Sequence, residues 1–348
     1  MSVVLTKSRF INALKCYWNY ALSLFGLVRI SHMPTFVSVE PAAVCQLRCP
    51  ACPVGQAKTA ARSDLEYRPA TPDRIQTELP LMPLEVWHRT LAEIRETAMT
   101  VQFYFQGEPL LNKDLPVMIR EAHEAGLYTI VSTNAQAMTQ DLANELVRAG
   151  LDRIIVSMDG LTDESYNAYR IGGSLSQCKN ALRFLREAKD RLRLTEYRPF
   201  VALTDRVQTE IELQCLRLKT NEHEWREFKR VYKQLGADRL TLKTAQLYDY
   251  ANGHPLMPSN PRYSRYIQGP DGRFHRKPLG KTCLRVWSGC VITTNGDVLP
   301  CCYDKAHAHA YGNIMNAPLR ELYGNDQAIA FRRAALRQQP QICQECYK

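Results

Sequence analysis

Short β-type runs alternate with amphipathic helical segments along the middle of this chain. Six runs rich in apolar and β-branched residues predict strands at 35–44, 100–106, 128–133, 153–158, 211–219 and 239–244. Between them, apolar residues recur every three or four positions, which is the period of a helix. This alternation predicts an α/β domain with a parallel sheet and crossover helices.

The predicted helices cover residues 83–98, 114–125, 140–149, 174–191 and 222–235, with helical turns at 163–170. Two of them stop at Gly126 and Gly150, because glycine readily adopts the left-handed conformation that ends a helix. A polar and basic stretch at 53–80 is predicted to be a long loop. Residues 251–282, rich in Pro, Gly, Asn and Tyr, are predicted to be a linker.

The first 34 residues predict an amphipathic helix. Residues 1–39 contain basic side chains and no acidic one. A broad apolar face comprises Phe10, Ile11, Leu14, Trp18, Ala21, Leu22, Phe25 and Val28, and a narrow polar stripe comprises Asn12, Lys15, Asn19 and Ser23. The uninterrupted apolar run is shorter than the ~20 residues that a bilayer requires. We expect the helix to pack on the domain; an interfacial membrane helix is the alternative.

Length and composition indicate one large soluble domain with a smaller appendage. The chain has 348 residues, of which 45% are hydrophobic and 23% are charged. Its twelve cysteines fall in short clustered spacings, which in a long chain favours metal binding in a reducing cytoplasm over a disulfide framework. The formal net charge of +10 admits an anionic substrate or partner, but no nucleic-acid-binding signature accompanies it, so no specific nucleic acid is expected.

Three cysteines follow the first predicted strand. Cys45, Cys49 and Cys52 have a C-x3-C-x2-C spacing, so one short loop can place three thiolates on one inorganic centre. Thiolates favour iron–sulfur clusters, zinc or Cu(I) over hard cations. On a four-iron cluster, three cysteines leave one iron open for chemistry.

Polar motifs follow the next three predicted strands. Gly107-Glu108-Pro109 follows the second strand, Ser132 and Asn134 end the third, and Ser157 and Asp159 end the fourth. The carboxyl ends of parallel strands meet at one edge, where such folds place their active sites. These side chains are therefore expected to surround the cysteine loop.

These residues resemble the motifs of the radical S-adenosylmethionine (radical SAM) superfamily. The three cysteines match its cluster motif, and Gly107-Glu108-Pro109 matches its GGE-type motif. The resemblance implies a partial (β/α)6 TIM-like barrel and a [4Fe–4S] cluster whose open iron binds S-adenosylmethionine. It also implies reductive cleavage to a 5′-deoxyadenosyl radical that removes hydrogen from a substrate. The implied cofactor-binding residues are Gly107, Glu108, Pro109, Ser132, Asn134, Ser157, Asp159 and Arg170; no catalytic base can be assigned.

A second set of six cysteines begins at residue 283. Asn295-Gly296 between β-type residues predicts a hairpin that brings the flanking cysteines together. Cys343 and Cys346 would complete a four-thiolate site, which suits zinc as well as a fully ligated iron–sulfur cluster.

This C-terminal part resembles the SPASM domain that follows many radical SAM cores. Its opening spacing and Gly312-Asn313-Ile314 agree with that domain, whereas the central cysteine block is absent, which favours one auxiliary [4Fe–4S] cluster, as in the shortened "twitch" form. The implied ligands are Cys283, Cys301, Cys343 and Cys346, with Cys302 as the alternative to Cys301. Cys290 is expected in the hairpin, and Cys16, Cys178 and Cys215 as packed apolar residues. The predicted units are 1–34, 35–250, the linker 251–282, and a cysteine-rich hairpin and helix domain at 283–348.

The resemblance implies a radical SAM oxidoreductase or maturase that performs a net two-electron oxidation of a small molecule or peptide. A reducing donor such as flavodoxin or ferredoxin is implied as a partner, and the N-terminal helix is a candidate for peripheral membrane contact. A peptide-modifying maturase is an alternative, although the 34 residues ahead of the barrel are few for a leader-binding module. A zinc or iron–sulfur module without enzymatic activity, acting through a basic surface, is the other alternative.

Overall fold

An eight-stranded, mostly parallel sheet forms the centre of the molecule. The computed structural model describes residues 4–60, 81–195, 209–277, 283–344 and 346. The strands are β1 (Phe36–Val39), β2 (Thr100–Phe103), β3 (Tyr128–Thr133), β4 (Arg153–Ser157), β5 (Glu210–Arg217), β6 (Arg239–Thr244), β9 (Gly289–Ile292) and β10 (Val298–Leu299). Their order in the sheet is β10-β9-β1-β2-β3-β4-β5-β6. A separate antiparallel pair consists of β7 (Tyr266–Gln268) and β8 (Phe274–Arg276).

Helices cover the outer face of this sheet. They are α1 (Lys7–Leu24), α2 (Pro53–Ala60), α3 (Leu84–Ile94), α4 (Leu115–Glu124), α5 (Gln140–Arg148), α6 (Asp163–Asn167), α7 (Leu175–Thr195), α8 (Trp225–Val231), α9 (Arg285–Ser288), α10 (Leu319–Gly324), α11 (Asp326–Leu336) and α12 (Gln341–Gln344). Strands β1 to β6 pair in parallel in chain order. The predicted partial TIM-like α/β barrel is therefore confirmed.

The two faces of the sheet differ in chemistry because successive side chains on a strand point to opposite sides. On one face, the side chains are fully buried and form the main hydrophobic core with the helices. They include Val37, Val101, Phe103, Val131, Ile154, Val156, Ile211 and Leu213. The alternate positions on the other face include Ser38, Gln102, Ser132, Ser157, Glu212 and Gln214. The inside of the partial barrel is therefore polar, which suits a ligand site better than a packed core.

The cysteine-rich C-terminal part is joined to the barrel through the sheet itself. Strand β9 pairs in parallel with β1, with Phe36 opposite Gly289 and Val39 opposite Ile292. Strand β10 then pairs antiparallel with β9 across the predicted Asn295-Gly296 turn, where Gly296 has φ +90°. Continuous backbone hydrogen bonding fixes this part relative to β1, the strand that leads to Cys45.

Two predicted irregular segments contain regular structure. Residues 53–80 are predicted as a loop, but 53–60 form α2; residues 61–80 lie outside the described part of the chain. The predicted linker contains the β7–β8 hairpin, and Tyr266 of β7 stacks on Tyr250, just ahead of the linker, with ring centroids 4.3 Å apart. Leu247 and Tyr266 share one apolar cluster with Leu47 and Cys49 of the cysteine loop.

The N-terminal helix forms as predicted, but its packing face is the reverse of the expected one. The buried residues of α1 are Arg9, Asn12, Cys16, Asn19 and Ser23, which include three of the four members of the predicted polar stripe. Asn12 donates to the carbonyls of Met33 (3.0 Å) and Thr97 (3.1 Å), and accepts from the amide of Met33 (2.8 Å). The large apolar side chains Phe10, Ile11, Leu14, Trp18 and Leu24 of α1 are exposed instead.

Hydrogen bonding explains this inversion. The Arg9 guanidinium donates to the carbonyls of Arg95 (2.7 Å), Ala125 (2.6 Å) and Gly126 (2.6 Å). These carbonyls belong to the carboxyl ends of α3 and α4, which lack partners within their helices and carry a partial negative charge. Burial lowers the pKa of Arg9, and the nearby charge of Glu96 opposes that effect. Among the helices that the structure describes, none has the length and apolar content needed to cross a membrane.

We predict that Arg9→Met lowers the free energy of unfolding by about 3 kcal/mol, because the carbonyls at two helix ends lose a charged donor. Lys15→Met is the matched control, since Lys15 is an exposed basic residue of the same helix. Thermal melting of both variants checks this. Equal melting temperatures for the Arg9 and Lys15 variants would show that Arg9 does not anchor α1.

Candidate active site

The loop from Cys45 to Cys52 gathers three thiols at the carboxyl edge of β1. The thiol of Cys45 accepts from the Leu47 amide (3.4 Å) and from the side-chain amide of Asn134 (3.3 Å). The side chain of Leu47 is buried and draws the middle of the loop inward. Burial raises the pKa of Cys49 to about 11 and also raises the pKa of Cys45. Thiols in this setting need a bound metal to become thiolates.

Helix α2 closes the loop from outside. The amide of Gln56 donates to the carbonyl of Cys52 (2.8 Å), which continues the loop directly into the helix. At Gly55, an added Cβ would lie 2.4 Å from the carbonyl oxygen of Cys49. Only glycine therefore lets α2 pack this closely on the cysteines, which explains why Gly55 follows Cys52-Pro53-Val54.

Gly107 holds the neighbouring loop against the segment that leads to Cys45. It has φ +66°, and an added Cβ would lie 2.2 Å from the carbonyl oxygen of Ala42 and 2.7 Å from that of Val44. The next amide, of Glu108, donates to the Val44 carbonyl at 2.7 Å. Two backbone segments thus touch with no space for a side chain, and this contact sets the start of the cysteine loop.

The Glu108 carboxylate joins the ends of β2 and β3. It is buried and accepts from the amides of Leu110 (3.2 Å) and Asn134 (2.8 Å) and from the hydroxyl of Thr133. Burial raises the pKa of Glu108 to about 7, although these three donors oppose that rise. A carboxylate has about four acceptor positions, so one remains for a ligand ammonium. Pro109 begins a 3₁₀ turn (Pro109–Leu111) that directs the chain away from the site.

Asn134 connects the third strand to the cysteine loop. Besides its bond to Cys45, its side-chain oxygen accepts from Gln46 Nε2 (3.2 Å) and from the Gln136 amide (2.9 Å). The next residue, Ala135, has φ +64°, so the backbone turns sharply here. Ser132 lies two residues earlier on the polar face of β3 and is half-buried.

Asp159 and Arg170 form a buried ion pair beside Cys49. Arg170 Nε donates to Asp159 Oδ2 at 2.6 Å, and the Leu216 amide donates to Asp159 Oδ1 at 2.6 Å. Arg170 Nη1 lies 3.9 Å from the sulfur of Cys49. Burial opposes the charge of Arg170, but Asp159 and Cys49 hold its pKa well above the ordinary value. Arg170 thus provides a fixed positive charge at the cluster loop. Ser157, also buried, ends β4 just ahead of this pair.

Four of the C-terminal cysteines are neighbours. The pKa of Cys301 is raised to about 12 by burial and by the proximity of Cys302, Cys343 and Cys346. The pKa of Cys343 is raised to about 11 by burial and by Cys283 and Cys346. Electrostatic interactions thus connect Cys301 with Cys343 and Cys346, and Cys343 with Cys283, so the four predicted ligands lie in one region of the protein.

Cys302, next to Cys301 in the chain, also interacts with residues outside this group of four. It acts electrostatically on Tyr104, at the end of β2, and on Lys305. Cys290 is buried in β9, and Cys16, Cys178 and Cys215 are buried apolar residues of the main core.

Several residues of the site escaped the sequence analysis. Thr133 and Asn221 support the motif residues: Asn221 Nδ2 donates to the Asp159 carbonyl (2.8 Å) and the Leu216 carbonyl (2.9 Å). Lys305 donates to the Phe105 carbonyl (3.3 Å) and lies over the Phe105 ring. Gly55, three residues after Cys52, is a sequence signal for the close packing of α2 on the cysteine loop. Lys305 left none, because its position follows only from the pairing of β9 with β1.

The donor set suits iron–sulfur clusters. Within the described ranges, no three Cys, His, Asp or Glu side chains meet closely enough to hold a single metal ion. A four-iron cluster does not require such a meeting, since each thiolate binds a different iron. Three thiols with amide donors and a buried guanidinium nearby provide the ligands and the hydrogen bonds that such clusters use.

Comparisons with known proteins support both parts of the chain. The family model described as the radical SAM superfamily matches residues 39–197. The model described as the SPASM iron–sulfur cluster-binding domain matches residues 283–347. Together the two ranges cover more than half of the chain.

Among curated proteins, similar sequences are named PqqA peptide cyclase. The protein from Xanthomonas oryzae pv. oryzae is 23% identical over 338 residues, covering 90% of this chain and 80% of the relative. The protein from Xanthomonas axonopodis pv. citri is 24% identical over 343 residues, covering 92% and 82%.

Solved structures show the same fold. Streptococcus suis SuiB bound to S-adenosylmethionine gives a TM-score of 0.61 at 14% identity, covering 90% of this chain and 70% of that one. The anSMEcpe structure with bound AdoMet gives 0.58 at 16% identity, covering 86% and 80%. BtrN in complex with AdoMet and 2-DOIA gives 0.51 at 16% identity, covering 92% and 95%.

We predict that Gly107→Ala destabilises the fold by about 3 kcal/mol and impairs cluster loading, because the new methyl group meets the backbone of Ala42 and Val44. Gly26→Ala is the matched control: Gly26 also has positive φ (+85°), but an added Cβ meets nothing within 4 Å. The control should cost about 1 kcal/mol from backbone strain alone. Thermal melting and iron content after anaerobic reconstitution distinguish the two. Equal losses in both variants would contradict a steric role for Gly107.

Replacing Arg170 by Met should lower the free energy of unfolding by about 3–5 kcal/mol, since Asp159 is left as an unpaired buried charge. Combining Arg170→Met with Asp159→Asn should restore much of the stability but not the positive charge beside Cys49. Arg183→Met, at an exposed position of α7, is the control. Denaturant unfolding with iron analysis checks this, and a double variant as unstable as Arg170→Met would show that the buried charge is not the cause.

Proposed function

We propose that this chain, which belongs to the radical SAM superfamily and carries a C-terminal SPASM domain, performs a net two-electron oxidation with the SPASM cluster as electron acceptor. The chain is an enzyme of that superfamily, related to peptide-modifying maturases, and its cofactors are S-adenosylmethionine and iron–sulfur clusters. The direction of electron flow, the substrate and the individual ligands are our proposals.

The protein side chains provide positions and charges for the cofactors. When bound, the cofactors supply a reductively generated 5′-deoxyadenosyl radical that abstracts hydrogen. Cys45, Cys49 and Cys52 would hold the first cluster, with Arg170 as the fixed cation beside them. The methionyl group would lie by Gly107 and Glu108, and the ribose hydroxyls by Ser132, Asn134, Ser157 or Asp159.

One observation carries the proposal: the two cysteine sets are joined by a short chain of direct contacts. Lys305, four residues after Cys301, donates to the Phe105 carbonyl, and Gln106 Nε2 donates back to the Lys305 carbonyl at 3.1 Å. Phe105 and Gln106 lead directly into Gly107, whose backbone touches the segment before Cys45. These contacts support a common space between the two sites.

Lys305 carries charge into that space. Burial lowers its pKa, but the cysteines of both sets, Cys302, Cys301 and Cys52, and the buried Glu40 oppose that effect. Because thiolate-bound clusters are anionic, a lysine between them would stabilise an added electron on either one. This arrangement suits the removal of an electron from a substrate radical held between the sites.

The four-cysteine set supports electron transfer over direct substrate ligation. Cys283, Cys301, Cys343 and Cys346 are enough to fill every ligand position of a [4Fe–4S] cluster, which leaves no iron for the substrate. The electrostatic interaction of Cys301 with Cys343 and Cys346 supports Cys301 as the fourth ligand, with Cys302 as the alternative.

We infer a peptide as the substrate class from the relatives. The curated relatives are named as cyclases of the PqqA peptide, and SuiB has been solved with its precursor peptide SuiA (TM-score 0.61). A cavity of about 610 Å³ beyond β6 is of suitable size for part of such a substrate. It is lined by Gln246, Tyr248, Tyr250, Arg273 and by Gln344, which is next to Cys343. An external donor such as flavodoxin or ferredoxin would supply the electron for the first cluster.

Replacing Cys343 and Cys346 by Ala tests the proposal. Reconstituted parent protein should hold about eight irons per chain and the double variant about four, because one of two four-iron clusters is lost. The variant should still release 5′-deoxyadenosine from S-adenosylmethionine under reducing, anaerobic conditions, but should form no oxidised product from a substrate that the parent oxidises. Cys290→Ala is the matched control and should keep both clusters.

Single variants separate the alternatives for the fourth ligand. Cys301→Ala should lose auxiliary-cluster iron, whereas Cys302→Ala should retain it. Loss of all iron in the Cys343/Cys346 variant, or an oxidised product formed without the second cluster, would contradict the electron-acceptor role. Zinc in place of iron in the parent would contradict the whole assignment.

A further inference from the structure

The outer face of α1 is the largest concentration of exposed apolar side chains in the described chain. Among the residues that the structure describes, fourteen large apolar side chains are exposed, and ten of them lie between Val4 and Leu27. Trp18 is 66% exposed and Phe25 is 85% exposed. These ten are Val4, Leu5, Phe10, Ile11, Leu14, Tyr17, Trp18, Leu24, Phe25 and Leu27, which we call the α1 apolar face.

This exposure is built into the fold. Polar atoms of Arg9, Asn12 and Asn19 bond the opposite side of α1 to the body of the protein. Tyr20 also packs edge-on against the buried Trp287, with ring centroids 5.6 Å apart. The helix cannot rotate to bury its apolar face without leaving the carbonyls of Arg95, Ala125 and Gly126 without their donor. Exposed apolar patches of this kind mark interaction sites.

Charge indicates the partner. Residues 1–39 contain no Asp or Glu, and Lys7, Lys15 and Arg29 are exposed around the α1 apolar face. Two copies of this face would bring like charges together, whereas anionic lipid headgroups would meet them with opposite charge. Aromatic and aliphatic side chains next to lysine and arginine are typical of helices that lie in a membrane interface.

We propose that the α1 apolar face docks the enzyme onto an anionic lipid surface, with α1 lying flat in the interface. The helix has 18 residues and is about 27 Å long, so it presents its apolar face along the membrane plane. Anchoring on the protein side through Arg9 and Asn12 fixes its orientation before binding, which reduces the entropy cost of docking.

The position of α1 determines how the docked enzyme faces. Arg9 caps the carboxyl ends of α3 and α4, which come just before the amino ends of β2 and β3. The cysteine loop and Gly107 lie at the opposite, carboxyl edge of the same strands. Docking through α1 therefore leaves the mouth of the barrel directed away from the membrane, open to an electron donor and a substrate from the water.

Flotation of the full-length protein with vesicles tests this. Vesicles of equimolar phosphatidylglycerol and phosphatidylcholine should bind the protein, and pure phosphatidylcholine should bind it more weakly. The variant Leu14→Gln/Trp18→Gln/Phe25→Gln should lose at least about tenfold in affinity, because its apolar contacts with the acyl chains are gone. The variant Lys7→Gln/Lys15→Gln/Arg29→Gln should weaken binding to the anionic vesicles only, and added salt should do the same.

The matched control is Ile267→Gln/Met315→Gln, which removes exposed apolar side chains elsewhere and should bind like the parent. A second measurement uses the parent alone: brominated lipids should quench the fluorescence of Trp18, and Trp18→Phe should remove that quenching. The proposal would be overturned if the parent protein did not bind anionic vesicles. It would also be overturned if the Leu14→Gln/Trp18→Gln/Phe25→Gln variant bound them as well as the parent. A dimer in sedimentation analysis that the same variant dissociates, while vesicle binding is absent, would overturn it as well.

Discussion

The close backbone contact at Gly107 is the constraint on which the rest of the site depends. An added Cβ there would lie 2.2 Å from the carbonyl of Ala42, so the loop after β2 presses directly on the segment that carries the chain from β1 to Cys45. Glu108 then uses its carboxylate to join this loop to Thr133 and Asn134, and Asn134 donates to Cys45. The three strand ends and the first thiol therefore form one connected unit. Catalytic constellations need such support to keep their geometry.

The same loop also determines where the second cysteine set can lie. Strand β9 pairs in register with β1, so the C-terminal part is a continuation of the barrel sheet rather than an independently tethered module. From there the chain reaches Lys305, which bonds to Phe105 immediately ahead of Gly107. Any movement of one cysteine set would therefore be transmitted through Phe105 and Gln106 to the other. A fixed position of the second cysteine set is what the proposed electron-acceptor role requires.

The strands and the chemistry-bearing residues could be predicted from the sequence because both depend on local patterns. Strands β3 and β6 have the predicted boundaries, and the motifs after β1 to β4 meet at one edge, as parallel pairing demands. Residues whose role arises from distant pairing left no such signal. Lys305 interacts with Cys52 only because β9 adds to β1, and Asn221, just ahead of the predicted helix at 222–235, supports the Asp159 loop.

Helix α1 shows why an amphipathic pattern alone cannot say which face of a helix is buried. Periodicity places the polar stripe opposite the apolar face, and the usual assumption is that the apolar face packs inward. Here the amino edge of the barrel offers α1 the unpaired carbonyls at the ends of α3 and α4. Burying such carbonyls without donors costs more free energy than exposing several apolar side chains to water. The polar stripe of α1 therefore packs against the barrel. The apolar face is then left exposed among the residues that the structure describes.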